Sequence, residues 1–279
     1  MKKKKTLWII IGVLILAAVL GGGGYYWYQN YEVPKQNAIS RFNRAVEKVE
    51  AENTVFQKKI DEAQSLLDKG EKPYEKAKQD NLQNALNDAK TAMVTIPEQP
   101  TETDEINATA DQLEKPIDYS KEEEKLQTAS AEYSNSVKQQ QQITAPSENF
   151  ILERLKGIDS IVTMAPVTED NDPNGNLNKA GGYTSTVYFE SSNVNQAEVY
   201  GTDLIDRGTD AGGAIEVYAN SDDAERRNTY LATYDGTILA SGSHEVLGTI
   251  VIRTSNELTA TQQKQLTDAI KTAFLRVDE

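Results

Sequence analysis

Asp170, Asp172 and Asn174 carry side-chain oxygens at alternate positions and are followed by Gly175, the opening spacing of a calcium-binding loop. The twelfth position of such a loop would hold a bidentate Glu, and here it is Gly181. The same residues read independently as a turn, because Asp172-Pro173-Asn174-Gly175 supplies the side chains and φ preferences of one. The calcium reading, with Asp170, Asp172 and Asn174 as ligands, stays open beside it. Gly208-Thr209-Asp210-Ala211-Gly212-Gly213 is rich enough in glycine to suggest a phosphate cradle. It lacks the Gly-Lys-Ser/Thr ending and precedes a strand pattern, so a turn or bulge is expected. His244 is the single histidine, and there is no cysteine. Histidine-cluster and thiolate metal sites, cysteine nucleophiles, disulfides and cysteine-linked lipid are therefore closed off. A Ser-His-Asp arrangement would need His244, and its neighbours Ser241 and Ser243 sit in a Gly-rich turn sequence. Asp203, Asp206, Asp210 and Glu216 could supply a carboxylate pair for hydrolysis, although nothing in their spacing demands it.

The elements that would position these groups lie in residues 146–279, where the hydrophobic period switches between 3.6 and 2. A short helix is expected over 147–156 and strands over 160–165, 183–191, 213–220 and 247–254. The last of these is apolar on both faces, as a central strand would be. Ser221 is expected to cap one helix, with Asp222 and Asp223 in its first turn. Thr259 and Gln262 form a capping box before another, whose Leu266, Ile270, Ala273, Phe274 and Val277 share a face. An α+β domain follows, a small mostly antiparallel sheet with helices on one side.

Residues 32–144 read as a helical, coiled-coil-like stalk. Ile39, Phe42, Val46, Val49, Asn53, Phe56, Ile60, Ala63 and Leu67 repeat at spacings of three and four, and Asn53 is the polar exception on that seam. It is either a register device or simply tolerated. A second helix is expected over 73–94 and a third over 119–142. Between them, the acidic stretch 98–115 is either linker or a weakly supported helix around Ile106, Ala110 and Leu113. The Gln139 to Gln142 run before Pro146 suggests a fraying end and a hinge. Antiparallel packing of these helices is the simplest way to cover their stripes, and self-association of the first helix is the alternative.

Residues 7–28 contain no charge and would span about 33 Å as a helix, enough for a hydrocarbon core of about 30 Å. Four lysines precede them within the tail 1–6, and Tyr25-Tyr26-Trp27-Tyr28 suits the far interface. This predicts a single-pass anchor with a cytoplasmic N-terminus and the bulk extracellular. A cleaved signal is the competing reading, because the strongly apolar part is only 7–20. Net charge is −14, and −18 once the four lysines are set aside, which argues against nucleic acid as a partner.

The runs Thr168-Glu169-Asp170-Asn171-Asp172-Pro173-Asn174-Gly175, Gly181-Gly182-Tyr183-Thr184, Gly208 to Gly213, Ser241-Gly242-Ser243-His244 and Ile252-Arg253-Thr254-Ser255 carry a resemblance. Together they make the last half of the chain similar to an uncharacterised domain at the C-terminal end of anchored, extracytoplasmic proteins of Gram-positive bacteria. The resemblance implies a surface location and carries no functional residues across. The expected role is binding or scaffolding at the cell envelope, with the distal domain meeting a protein or envelope component. An extracytoplasmic hydrolase using the paired carboxylates and a calcium-stiffened adhesin are the alternatives.

Overall fold

The structure is a computed structural model that describes residues 2–278, with side chains from Ile11 onward. Its chain order is α1 (Lys2–Trp27), a π-helical stretch (Tyr28–Glu32), α2 (Val33–Asp68), α3 (Lys76–Ala92), α4 (Thr103–Leu113), α5 (Ser120–Gln142), α6 (Glu148–Leu155), β1 (Ile161–Pro166), β2 (Tyr183–Ser191), α7 (Leu204–Arg207), a 3-10 turn (Gly208–Ala211), β3 (Gly212–Tyr218), α8 (Ser221–Ala232), β4 (Ser243–Leu247), β5 (Ile250–Thr254) and α9 (Ala260–Leu275). Two compact units result. One comprises Met1–Lys69 with Asn81–Ser130, and the other Gly70–Asp80 with Ala131–Glu279.

The first unit contains a helix that runs 58 residues, Ile11–Asp68, and is long and apolar enough at its start to cross a membrane. Pro34 sits in the first turn of α2, where its missing N–H costs no hydrogen bond. The α2 stripe is closed within the chain. Ala38, Phe42, Ala45 and Val49 pack against Ile106, Ala110 and Leu113 of α4. Residues 98–115 therefore contain a packed helix. Ile106, Ala110 and Leu113 are too few to announce it, yet all three are buried. Arg41 fixes this pairing from outside, with hydrogen bonds to Asp111 and Glu114 at 2.5 to 2.9 Å.

Asn53 does have a partner. Its Nδ2 donates to Val94 O (2.8 Å), and its Oδ1 accepts from the Tyr119 hydroxyl, which in turn accepts from Val94 N (2.9 Å). Tyr119 stacks on Phe56 with ring centroids 4.2 Å apart. The polar seam residue thus sets register between segments of one chain. Between α2 and α5 lies an open groove of about 640 Å³ whose rim carries Lys59, Glu62, Glu123 and Glu124.

The second unit is built on a five-stranded sheet of order β1-β2-β3-β5-β4, with every neighbouring pair antiparallel. Two expectations need correction. Residues 247–254 are a hairpin junction rather than one strand: β4 and β5 flank Gly248 (φ +63), where a Cβ would come within 2.3 Å of Ile143 O. The extra strand begins at Ser243, in a segment that its glycine and serines disguised as a turn. Helices also cover both faces of the sheet, where one covered face was expected.

On one face Val187, Phe189, Ile215, Val217, Ile250 and Ile252 pack with Ile151 and Leu155 of α6 and Leu266, Ile270 and Phe274 of α9. On the other, Tyr183, Tyr218 and Val251 pack with Ala224 and Leu231 of α8, and Tyr188 and Ala214 with Leu204 and Ile205 near α7. The expected fray at Gln139 to Gln142 is pinned. Gln139 Nε2 donates to Leu275 O (3.0 Å), Ile143 is fully buried, and Thr249 N donates to Ile143 O (2.9 Å).

Candidate functional site

The α8 face of the sheet carries the most unusual side chains in the molecule. Strand alternation sends Ile215 and Val217 to the α9 side and Ala214, Glu216 and Tyr218 to the α8 side. Glu216 pairs across the ladder with Thr186 and Val251, and Ala214 with Tyr188 and Arg253, so these residues form adjacent rows. On β4, His244 is the register partner of Arg253. α8 is capped by Asn220 and not, as expected, by Ser221: the Asn220 side chain accepts from Asp223 N, Ser221 is the first helical residue, and the helix brings Arg227 down onto Glu216.

Glu216 is 0 % exposed, and its carboxylate is saturated. Oε2 accepts from Arg227 Nε (2.9 Å) and the Tyr218 hydroxyl (2.8 Å). Oε1 accepts from Arg227 Nη2 and Arg253 Nη1, both at 2.9 Å. Burial alone would raise its pKa. The Arg253 charge and the Arg227 hydrogen bonds outweigh burial and hold it below the ordinary carboxylate value. Burial, and then Glu216, raise the Tyr218 hydroxyl. Burial works against the Arg227 charge, but its bonds to Glu216 prevail and raise its pKa. A carboxylate with all four acceptor positions filled and no solvent access cannot serve as a general base. It holds two guanidinium groups in place.

Asp203, Asp206 and Asp210 do not join it. The Asp203 carboxylate caps α7 by accepting from Ile205 N (3.0 Å) and Asp206 N (2.9 Å). Asp206 accepts from Thr202 N (2.8 Å), and Asp210 is exposed on the 3-10 turn. A shallow groove of about 590 Å³ is lined by Asp203 and Asp206 with Ala165, Pro173, Leu204 and Ile205, and neither Asp210 nor Glu216 reaches it. His244 Nδ1 lies 2.6 Å from Asn228 Oδ1 and Nε2 lies 3.2 Å from Asp235 Oδ1. Both ring nitrogens are engaged, and neither contacts a serine. Ser241 Oγ accepts from Arg253 Nη2 (2.8 Å), and Ser243 Oγ meets Thr254 Oγ1 (2.7 Å).

The Asp170–Asn174 segment folds as a turn closed by its own groups. Asp172 Oδ1 accepts from Asn174 N (3.0 Å) and the Tyr183 hydroxyl, while Oδ2 accepts from Asn176 N (2.6 Å) and Leu177 N (2.8 Å). Burial raises its pKa, but Tyr183 and the three amides prevail and lower it. Asp170 and Asn174 are exposed, and among the described residues no three His, Cys, Asp or Glu side chains are grouped to hold a metal ion. Gly212 and Gly213 serve close packing. A Cβ at Gly212 would meet Ser191 N at 2.4 Å, and one at Gly213 would meet Arg253 O at 2.2 Å.

Arg227 and Arg253 are the residues that sequence reasoning passed over. Their signal was present: Glu216 interrupts Gly-Gly-Ala-Ile-Glu-Val-Tyr, and Arg253 interrupts Ile-Val-Ile-Arg-Thr. Opposite charges inside two apolar strands imply a buried pair. No known family, curated protein or solved structure matches the chain.

Proposed function

We propose that the protein is a single-pass, membrane-anchored component of the cell envelope, with its N-terminus cytoplasmic and its bulk extracellular, and that its α+β unit binds or scaffolds a protein or envelope partner. One observation carries the reading. From Ile11 to Tyr31 every residue of the long apolar helix is exposed, so nothing among the described residues covers this surface. A bilayer would cover it, and the lysines of the 1–6 tail favour the cytoplasmic side for the N-terminus. A binding role is favoured over hydrolysis because Glu216 is locked in ion pairs and Asp203 in a helix cap.

The absence of native cysteine makes the topology easy to test. Tyr200, 97 % exposed, is replaced by Cys in one variant and Lys3 in another. A membrane-impermeant maleimide should label Tyr200→Cys on intact cells and Lys3→Cys only after permeabilisation. The reverse pattern would overturn the orientation, and loss of residue 3 from the mature chain would show a cleaved signal. For the binding role, a photoreactive residue at Ile238, 102 % exposed, should yield a discrete cross-linked adduct in intact cells. An absence of adducts there and at Tyr200 would count against it.

A further inference from the structure

The Arg253 guanidinium is only partly used. Nη1 donates to Glu216 Oε1 and Nη2 to Ser241 Oγ, while Nε is buried without a hydrogen-bond partner on a residue 7 % exposed. Nε–H and Nη2–H are the two parallel donors of the side-on guanidinium fork, which a carboxylate accepts bidentately. Nη2 is engaged only by a neutral hydroxyl, and Nε holds nothing. A buried donor left in this state is destabilising and calls for an explanation. Charge points the same way, since Arg227 and Arg253 share the single carboxylate of Glu216.

We propose that the Nε/Nη2 edge of Arg253 is a receptor for the carboxylate of a ligand, and that Ser241 Oγ occupies half of it until the ligand arrives. A monoanion suits the site, because one positive charge is in excess and a dianion would leave a negative charge buried beside Glu216 and near Asp235 in an acidic chain. The segment 235–241 controls access. Its hydrogen bonds to the rest of the domain are Asp235 to His244 and Ser241 to Arg253, and its others are local turns such as Thr237 N to Tyr234 O. Ile238 and Leu239 at its tip are exposed. Gly242 (φ +95), whose Cβ would meet Thr254 O at 1.9 Å, fixes the far end and acts as the pivot. The inference rests on the binding role proposed for this unit and is independent of membrane orientation.

The test uses the full chain in detergent, with the Arg253 Nε–H resonance followed by ¹⁵N NMR at constant ionic strength. The probes are N-acetylglycine, its neutral amide, glucuronate and inorganic phosphate. A saturable shift is expected with N-acetylglycine or glucuronate and none with the amide. Whichever carboxylate binds more tightly identifies a peptide or an acidic sugar as the source. Ser241→Ala removes the internal competitor and should tighten binding about three- to tenfold, the equivalent of one neutral hydrogen bond. Flat titrations in both wild type and Ser241→Ala, or tighter binding of phosphate, would overturn the proposal. Those results would leave the cross-link at Ile238 standing, so failure here and failure of the binding role are separable.

Discussion

Replacing Glu216 with Gln removes the charge that Arg227 and Arg253 share beneath α8 while keeping the side-chain volume. Four donors converge on that carboxylate: two from Arg227, one from Arg253 and the Tyr218 hydroxyl. An amide offers one oxygen and turns its own N–H groups toward a donor, leaving the buried Arg253 and the part-buried Arg227 without a counter-charge. Breaking one side of a buried pair typically costs about 3–5 kcal/mol. At about 2–4 °C per kcal/mol for a unit of this size, the melting temperature should fall by roughly 6–20 °C. Near-UV circular dichroism of the tyrosines is the suitable probe, since Trp8 and Trp27 both lie in α1 and do not report on the sheet.

Acid titration supplies a second readout. The folded pKa of Glu216 is lowered from 4.5, so its contribution is fully present above about 4.5 and is lost as pH falls through the lowered folded value. Glu216→Gln should flatten that part of the stability curve. Replacing the whole triad with Leu at 216 and Met at 227 and 253 should be far less harmful than the single change. A loss below about 1 kcal/mol for Glu216→Gln, with acid sensitivity unchanged, would refute the charge-balance argument.

Asn53→Leu would strengthen an intermolecular coiled-coil seam, but here it strands Val94 O and the Tyr119 hydroxyl. Urea denaturation should therefore show a loss of about 1–3 kcal/mol rather than a gain. Asp172→Ala removes the acceptor of three backbone amides and should cost about 2 kcal/mol of stability, seen as a lowered thermal midpoint. In the turn reading, added calcium should leave the wild-type midpoint unmoved, and a calcium-dependent rise abolished by Asp172→Ala would restore the metal reading. Thr186 Oγ1 is buried without a partner, so the isosteric Thr186→Val should raise stability by about 1 kcal/mol in the same assay.

Local signals were legible wherever one short segment holds both cause and effect. The capping box at Thr259 and Gln262 opens α9 as expected, and the alternation over 183–191 becomes β2. The turn at Asp172 needs only its own neighbours to form. Errors arose where a segment depends on something distant. Residues 103–113 became a helix because α2 offers Phe42 and Val49 to bury Ile106 and Ala110. The Gln139 run is held by Leu275 O and Thr249, more than a hundred residues downstream. Ser243 to Leu247 pairs as a strand because β5 presents a matching edge, despite the Ser-Gly-Ser that precedes it. The four acidic residues grouped in the sequence, Asp203, Asp206, Asp210 and Glu216, went to a helix cap, the short helix α7, an exposed turn and the buried face of a sheet.

By itself the sequence determined an uncharged stretch long enough to span a bilayer, the charge asymmetry around it, the exclusion of thiol chemistry and the alternation between helix and strand. These depend on composition and period, which each segment carries alone. The partners of charged side chains were decided only by the tertiary structure. Glu216 and Arg253 lie 37 positions apart, and strand order and register bring their side chains into contact. Burial then turns an ordinary ion pair into a locked carboxylate and leaves one donor of Arg253 without an acceptor.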